Sequence, residues 1–467
     1  MNNQLYIASE SGHAVPAISI NESFREREVS PSQARPRGDS AAFFFLCLFT
    51  IAVYARPEDI FPSLSQLHLT FLCGLCAGLA YVAAHLSANA HFLWSRELRL
   101  ILLLSAWYVA GLPFALWRGG SFQVLTQAWL KTLVIFFLLT QTLVTLDRIR
   151  RLLWSIILCE LVVTALSIAR PSSSMWIGER MHGVNLGILG WNFLGIAAAV
   201  TIPYIAALSV AQRSLIKSSL LAGTFLSMMW MLGLTASRSG FMSVVFSLAV
   251  TWLLIFRGSA RGRIVGVGLA AIMLISISMA PKVFWERLRT LWDTPEITTS
   301  EVAASANESK EDHLTALTQS IQYTFEHPVF GLGLGNFDIA SGTDVGQPSA
   351  WRGTHNTFTQ VSSEAGIPAL LLFVALLVTS IRSMKRIGGA LAPSSEGVEL
   401  RLMARATLAS LISFGFGAFF AHIAYEYYLF YSVAIAVGIQ QVARATQPVT
   451  ITDNLPSHSE ATAVTWA

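Results

Sequence analysis

The chain reads as an all-α polytopic membrane protein with about twelve transmembrane helices and one large extracytoplasmic loop. Three observations predict it. Apolar residues make up 54% of the chain and charged residues only 12%, too apolar a mixture for a water-soluble domain of this size. The apolar residues gather in runs near the roughly 20 residues that a helix needs to cross about 30 Å of hydrocarbon. Only residues 282–365 break the succession with a long polar, histidine-bearing stretch.

Residues 1–39 are rich in Ser, Pro, Arg and Glu. They lack the charged-then-apolar pattern of a cleaved signal and predict a disordered cytoplasmic tail. Nine spans follow within 40–281, at 40–54, 67–86, 98–117, 122–144, 152–169, 190–211, 215–235, 240–256 and 264–280. The loop occupies 282–365, three more spans lie within 366–443 at 367–381, 406–421 and 427–442, and 444–467 reads as a second disordered cytoplasmic tail. The first and tenth runs are short and the fourth carries Lys131, so the number of spans is open by one or two. Trp94, Trp117, Trp176, Trp252 and Trp285 near run ends suit an interfacial aromatic belt.

Cytoplasmic loops retain positive charge. With the N-terminus inside, twenty of the 31 Lys and Arg fall on the cytoplasmic side, among them Arg148, Arg150, Arg151, Arg257, Arg261, Arg263, Arg382, Lys385 and Arg386. The long loop is then outside and both termini are inside. The net charge of +4 reflects this orientation and gives no argument for nucleic acid. All four cysteines lie in apolar runs, and Cys73-x-x-Cys76 inside a helix reads as small packing residues.

Within the loop, Ser309-Lys-Glu-Asp312 has the form of a helix start. Leu314, Leu317, Ile321 and Phe325 then recur at spacings of three and four, an amphipathic helix that should stop before Pro328. Its stripe is expected to cap the outer ends of the membrane helices; the alternative is a stripe dipping into the bilayer surface. Gly331, Gly333 and Gly335 follow with GxGxG spacing and no flanking strand-helix pair, so a tight turn is expected in place of a nucleotide loop. Such a turn permits close approach to another backbone or to an anion.

Four side chains are candidates for chemistry. His355 precedes the tenth span beside Arg352, Arg238 lies in a short turn between two spans, and Arg180 precedes the sixth span. Each alone has an ordinary structural or headgroup-anchoring role available. Several arginines converging on one imidazole form a site for phosphate with a proton acceptor, since guanidinium stays charged and binds phosphate oxygens in pairs. No carboxylate or histidine cluster has metal-ligand spacing; Asp338 and Asp344 are too thin a set.

Four segments in order carry a family resemblance: Tyr54-Ala-Arg-Pro57, Ser237-Arg-Ser-Gly240, Pro328-Val-Phe-Gly-Leu-Gly333, and His355-Asn-Thr-Phe358 followed by Glu364-Ala-Gly366 and a span. Over roughly residues 40–440 the chain resembles the O-antigen ligase and Wzy-type polymerase superfamily of bacterial membrane glycan transferases. The resemblance implies an undecaprenyl-diphosphate-linked glycan donor and transfer on the periplasmic face of the inner membrane. The implied acceptor is a hydroxyl of lipid A core, polysaccharide or protein. It implies His355 as the base and Arg238, with Arg180, as diphosphate ligands. Lys310 and His313 stand where many members have an arginine, and Arg352 is the expected substitute. No cofactor is expected, and direct displacement predicts a metal-independent, inverting transferase. A polymerase, a secondary transporter and a non-catalytic scaffold are the competing readings; only Lys131 and Glu160 fall clearly inside spans, which speaks against transport.

Overall fold

The computed structural model describes residues 39–88, 92–169, 176–177, 180–181, 191–291, 301–344, 346, 353–390 and 394–446. The first half of the chain holds α1 (Asp39–Ala55), α2 (Pro57–Ile60), α3 (Leu69–Ala88), α4 (Arg96–Gly111), α5 (Arg118–Val124), α6 (Leu130–Thr142), α7 (Leu146–Ala169), α8 (Trp191–Ala211) and α9 (Leu215–Thr235). The second half holds α10 (Arg238–Leu254), α11 (Ala260–Ser278), α12 (Lys282–Arg289), α13 (Glu301–Glu326), α14 (Phe337–Asp344), α15 (Thr357–Ala390), α16 (Ser395–Gly417) and α17 (Tyr427–Thr446). A two-residue antiparallel pair, β1 (Trp176–Ile177) with β2 (Arg180–Met181), is the exception to an all-α architecture among the described residues. Of the two expected tails, residues 1–38 and 447–467 lie outside those residues, whereas Asp39 opens α1 and Arg444–Thr446 continue α17 past the expected end of its span.

A helix occupies every expected run, α5 and α6 joining through a π-helical turn at Leu125–Trp129 into one span. Nine helical stretches among the described residues are long and apolar enough to cross a membrane. The helix in the first run, α1, has only 17 residues. α16 and α17 carry polar groups such as Glu399, Arg401, Gln440 and Gln441, which other helices shield: most of α17 is buried. Glu399, for one, receives two guanidinium N–H bonds from Arg150, at 3.0 and 2.7 Å.

The loop-bearing end of the bundle is built by backbone contacts at two places. α8 meets α10 at Gly195 and Gly240, where a Cβ on Gly195 would lie 2.1 Å from the Gly240 Cα; only hydrogen side chains allow helices this close. α15 is broken at Gly366 (φ 82°, ψ 173°), and the glycine-rich segment docks into the break. There Leu332 N–H donates to Ser363 O (2.8 Å), Gly333 N–H to Glu364 O (2.9 Å) and Ile367 N–H to Pro328 O (2.8 Å). The Glu364 carboxylate accepts from Gly335 N–H at 2.8 Å and from the Tyr425 hydroxyl at 2.5 Å. Of the two uses open to the glycine turn, the structure takes close approach to a backbone.

The loop helix departs from expectation twice. α13 begins at Glu301, because the Ala-rich residues ahead of Ser309 continue the helix with high propensity. It also buries a face of small, hydroxyl-bearing and tyrosine side chains in place of the expected stripe, of which Leu317 is half-buried. Ala316, Ser320, Tyr323 and Thr324 are buried, whereas Leu314, Ile321 and Phe325 are 55%, 44% and 73% exposed. Thr324 Oγ1 bonds Ser362 on α15 at 2.7 Å, Ser341 on α14 donates to Gln319 at 2.7 Å, and Tyr323 bonds Asp344. Those hydrogen bonds need partners that lipid does not offer, so they fix the inward face and leave the stripe outside.

Candidate functional site

His355 stands at the head of α15 in a left-handed backbone conformation (φ 51°). The next residue caps the helix: Asn356 Oδ1 accepts from Phe358 N–H at 2.9 Å and Thr359 N–H at 3.1 Å. Thr357 then ties in the connection between α16 and α17. Its N–H donates to Ala418 O (2.8 Å), its hydroxyl to Ala421 O (2.6 Å), and the same oxygen accepts from Ile423 N–H (3.2 Å). Gln360 Oε1 accepts from Ala424 N–H at 3.0 Å.

This lacing delivers His422 to His355, ring edge against ring face at 5.4 Å and 80°. Phe193 meets the His422 ring at 5.5 Å, and a Cβ on Gly353 would lie 2.4 Å from it, so the imidazole is clamped. Its Nδ1 is buried and has no hydrogen-bond partner among the described residues. α13 supplies a third imidazole. His313 stacks on His355 with centroids 3.9 Å apart and planes 8° from parallel. Face-to-face rings at this distance are not a ligand set, and no group of three or more His, Cys, Asp or Glu among the described residues is arranged to hold a metal ion. Because Thr357 Oγ1 serves two buried backbone groups, Thr357→Val is expected to cost about 1–3 kcal/mol. Thermal unfolding of the purified protein measures it.

Beside the imidazoles lies a pair of guanidiniums. α9 closes on Ala236 (φ 48°), and Ser237 caps α10 through Gly240 N–H (3.1 Å), which makes Arg238 the first residue of α10. Its Nη1 donates to Thr290 Oγ1 at 2.8 Å, and that hydroxyl donates to Arg287 O at 2.7 Å. Arg287 is buried on α12. Burial and then the Arg238 charge lower its pKa to about 10, so both arginines stay charged at neutral pH.

All three imidazoles are held below the usual histidine range. Burial, then His313 and His422, lower His355 to about 3. Burial and His313 lower His422 to about 4. Burial and the Arg238 charge lower His313, partly offset by Asp312. The lowered values leave the rings neutral at pH 7, each with one unprotonated nitrogen, beside the two arginine charges. Such a site attracts a doubly charged anion, and the anion in turn raises the basicity of the rings.

The structure therefore brings Arg238 and His355 to one end of the bundle. Arg180 is placed by its backbone alone, in β2, and Arg352 lies outside the described residues. Of the two candidates for the loop cation, His313 joins the cluster and Lys310 is exposed. Arg287 and His422 were not legible as site residues. Arg287 is one of several charges on a short helix, and His422 is a lone histidine between two spans.

Residues 223–374 match the family model for O-Antigen ligase. The matched segment runs from α9 into α15 and contains Arg238, Arg287, His313 and His355, with His422 beyond it. It supports the O-antigen ligase superfamily to which the sequence motifs pointed, and with it a bacterial membrane glycan transferase of the ligase or polymerase type. No curated protein matches the chain.

Proposed function

We propose that this protein is a membrane glycosyltransferase of O-antigen ligase type. It takes a glycan from an undecaprenyl-diphosphate carrier and joins it to an acceptor hydroxyl on the periplasmic face of the inner membrane. The observation that carries this reading is the juxtaposition of three neutral imidazoles with Arg238 and Arg287 at the loop-bearing end of the bundle.

The chemistry asks for little beyond that set. A glycosyl diphosphate already contains its leaving group, so the enzyme must hold it, offset its charge and remove one proton. The acceptor oxygen attacks the anomeric carbon while the bond from that carbon to the diphosphate oxygen breaks. The electron pair leaves with the lipid diphosphate, beside Arg238 and Arg287, and the acceptor proton passes to His355. Direct displacement inverts the anomeric centre and needs no metal. Arg180 and Arg352 complete the anion site in this reading, on the sequence resemblance alone.

Purified protein in proteoliposomes, given undecaprenyl-diphosphate-linked glycan and a candidate acceptor, should release undecaprenyl diphosphate and form an inverted linkage. A covalent glycosyl-enzyme intermediate would contradict direct displacement. Arg238→Ala should raise KM for the donor by more than about tenfold, given 1.5–3 kcal/mol for a charge-assisted hydrogen bond. Arg238→Lys should recover only part, because an ammonium does not reproduce the planar fork that meets phosphate oxygens. In cells lacking the gene, complementation with wild type but not Arg238→Ala should restore surface glycan. Lipid-linked precursor should accumulate in the mutant. Loss of attachment would then mark a ligase, and loss of chain length a polymerase.

A further inference from the structure

α13 shows two faces that a soluble cap would not need. Its inward face is hydrogen-bonded to α14 and α15, as described above. On the other side Leu314, Thr318, Ile321 and Phe325 succeed one another at four, three and four residues, one stripe along the helix. Val329, 49% exposed, extends it past the helix end. Because the inward face is engaged, the described residues of the bundle leave Leu314, Ile321 and Phe325 exposed.

The stripe runs into the lipid-facing surface of the bundle. Phe330, the residue after Val329, is stacked between Phe114 (4.5 Å) and Trp107 (5.0 Å). Phe114, Leu116 and Trp117 at that end of the α4 span are 64%, 61% and 49% exposed, as a surface in contact with acyl chains requires. The neighbouring α12 exposes Trp285, and Leu291 just past its end is exposed as well; tryptophan is the side chain most at home at headgroup level. The polar edge of α13 lies beside the stripe, where Gln322 Nε2 bonds Glu326 Oε1 at 2.8 Å and both side chains are exposed.

We infer that α13 is an interfacial helix, lying along the bilayer surface on the loop-bearing side with Leu314, Ile321 and Phe325 in the boundary between headgroups and acyl chains. Continuity with the exposed aromatic end of α4 selects lipid as the occupant over a second copy or a soluble partner. The bilayer then holds in place the helix that carries His313, and the cap over His355 is seated from two sides, by α15 and by lipid. This placement does not depend on the chemistry at His355.

The test uses the full chain in nanodiscs of phosphatidylcholine, with a fluorescent noncanonical residue replacing Ile321, Phe325 or, as the control on the polar edge, Gln322. Brominated acyl chains quench what lies among them, and iodide quenches what lies in water. A stripe seated about 5–10 Å into the interface predicts loss of roughly half the emission to bromolipid at 321 and 325, and almost none at 322. Equal iodide quenching at all three positions, with none from bromolipid, would place the stripe in water and overturn the inference. Protection from both quenchers, with chemical cross-linking to a dimer, would assign the stripe to a second copy and overturn it equally.

Discussion

Replacing His355 with alanine is expected to reduce glycan transfer by about 10²–10⁴-fold, the usual contribution of a general base. Donor binding should persist, because Arg238, Arg287 and Thr290 keep their own contacts. A transferase assay beside a binding assay with the lipid-linked donor separates the two. His355→Gln keeps a polar side chain of similar reach without the titrating nitrogen and should be as inactive as alanine; if it were active, the ring would be a structural part.

The pH dependence has a definite sign. With its pKa lowered to about 3, the free-enzyme imidazole is already deprotonated through the whole neutral range. The acid limb of kcat/KM, which reports the free enzyme, should therefore lie well below the ordinary histidine value near 6.5. A bound diphosphate adds negative charge beside the ring and raises its pKa, so the acid limb of kcat should fall at higher pH than that of kcat/KM. Coincident limbs would mean that the donor charge is not felt at His355. Stability follows the same groups: the unfolded histidines take up protons below about 6.5 while the folded ones do not, so acid destabilises the cluster as pH falls from there toward the folded values.

The parts of this molecule that were legible in the sequence are those governed by local pattern. Apolar runs announced the membrane helices, and Ser237-Arg-Ser-Gly240 and His355-Asn-Thr-Phe358 announced the local placement of Arg238 and His355, two residues of the candidate site, because a cap and a short turn are properties of neighbouring residues. His422 reaches His355 only through hydrogen bonds between Thr357 and the α16–α17 connection, and no local pattern encodes that pairing. Arg287 becomes distinctive only when Thr290 joins it to Arg238. The amphipathic stripe of α13 was found and its partner was not, since Leu, Ile and Phe satisfy a protein interior and a lipid boundary equally well. What decided its direction was the opposite face: Thr324, Gln319 and Tyr323 have partners within the protein.

The second large effect expected is structural, at Gly366. Its φ of 82° and ψ of 173° lie in a region that is essentially reserved for glycine. A Cβ there would stand 1.9 Å from Val329 O, and the contact is with backbone, which cannot rotate away. Gly366→Ala must therefore either move the Pro328–Gly335 segment or straighten α15. Moving the segment breaks the bonds of Leu332 N–H and Gly333 N–H to α15, that of Ile367 N–H to Pro328 O, and the bond of Gly335 N–H to Glu364. Straightening α15 swings its first turns, with His355 at their head, away from His422. Overpacking and backbone strain together set the cost at about 3 kcal/mol or more, a large share of the 5–15 kcal/mol that holds a typical domain folded. The variant should accumulate poorly in membranes, melt well below wild type and lose transfer activity even in the fraction that survives purification. Replacing the Glu364 carboxyl with an amide in Glu364→Gln gives the graded comparison, since the amide oxygen still accepts from Gly335 N–H. It should be milder by more than half on the same melting scale, and equal losses would show that the carboxylate and not the kink holds the segment in place.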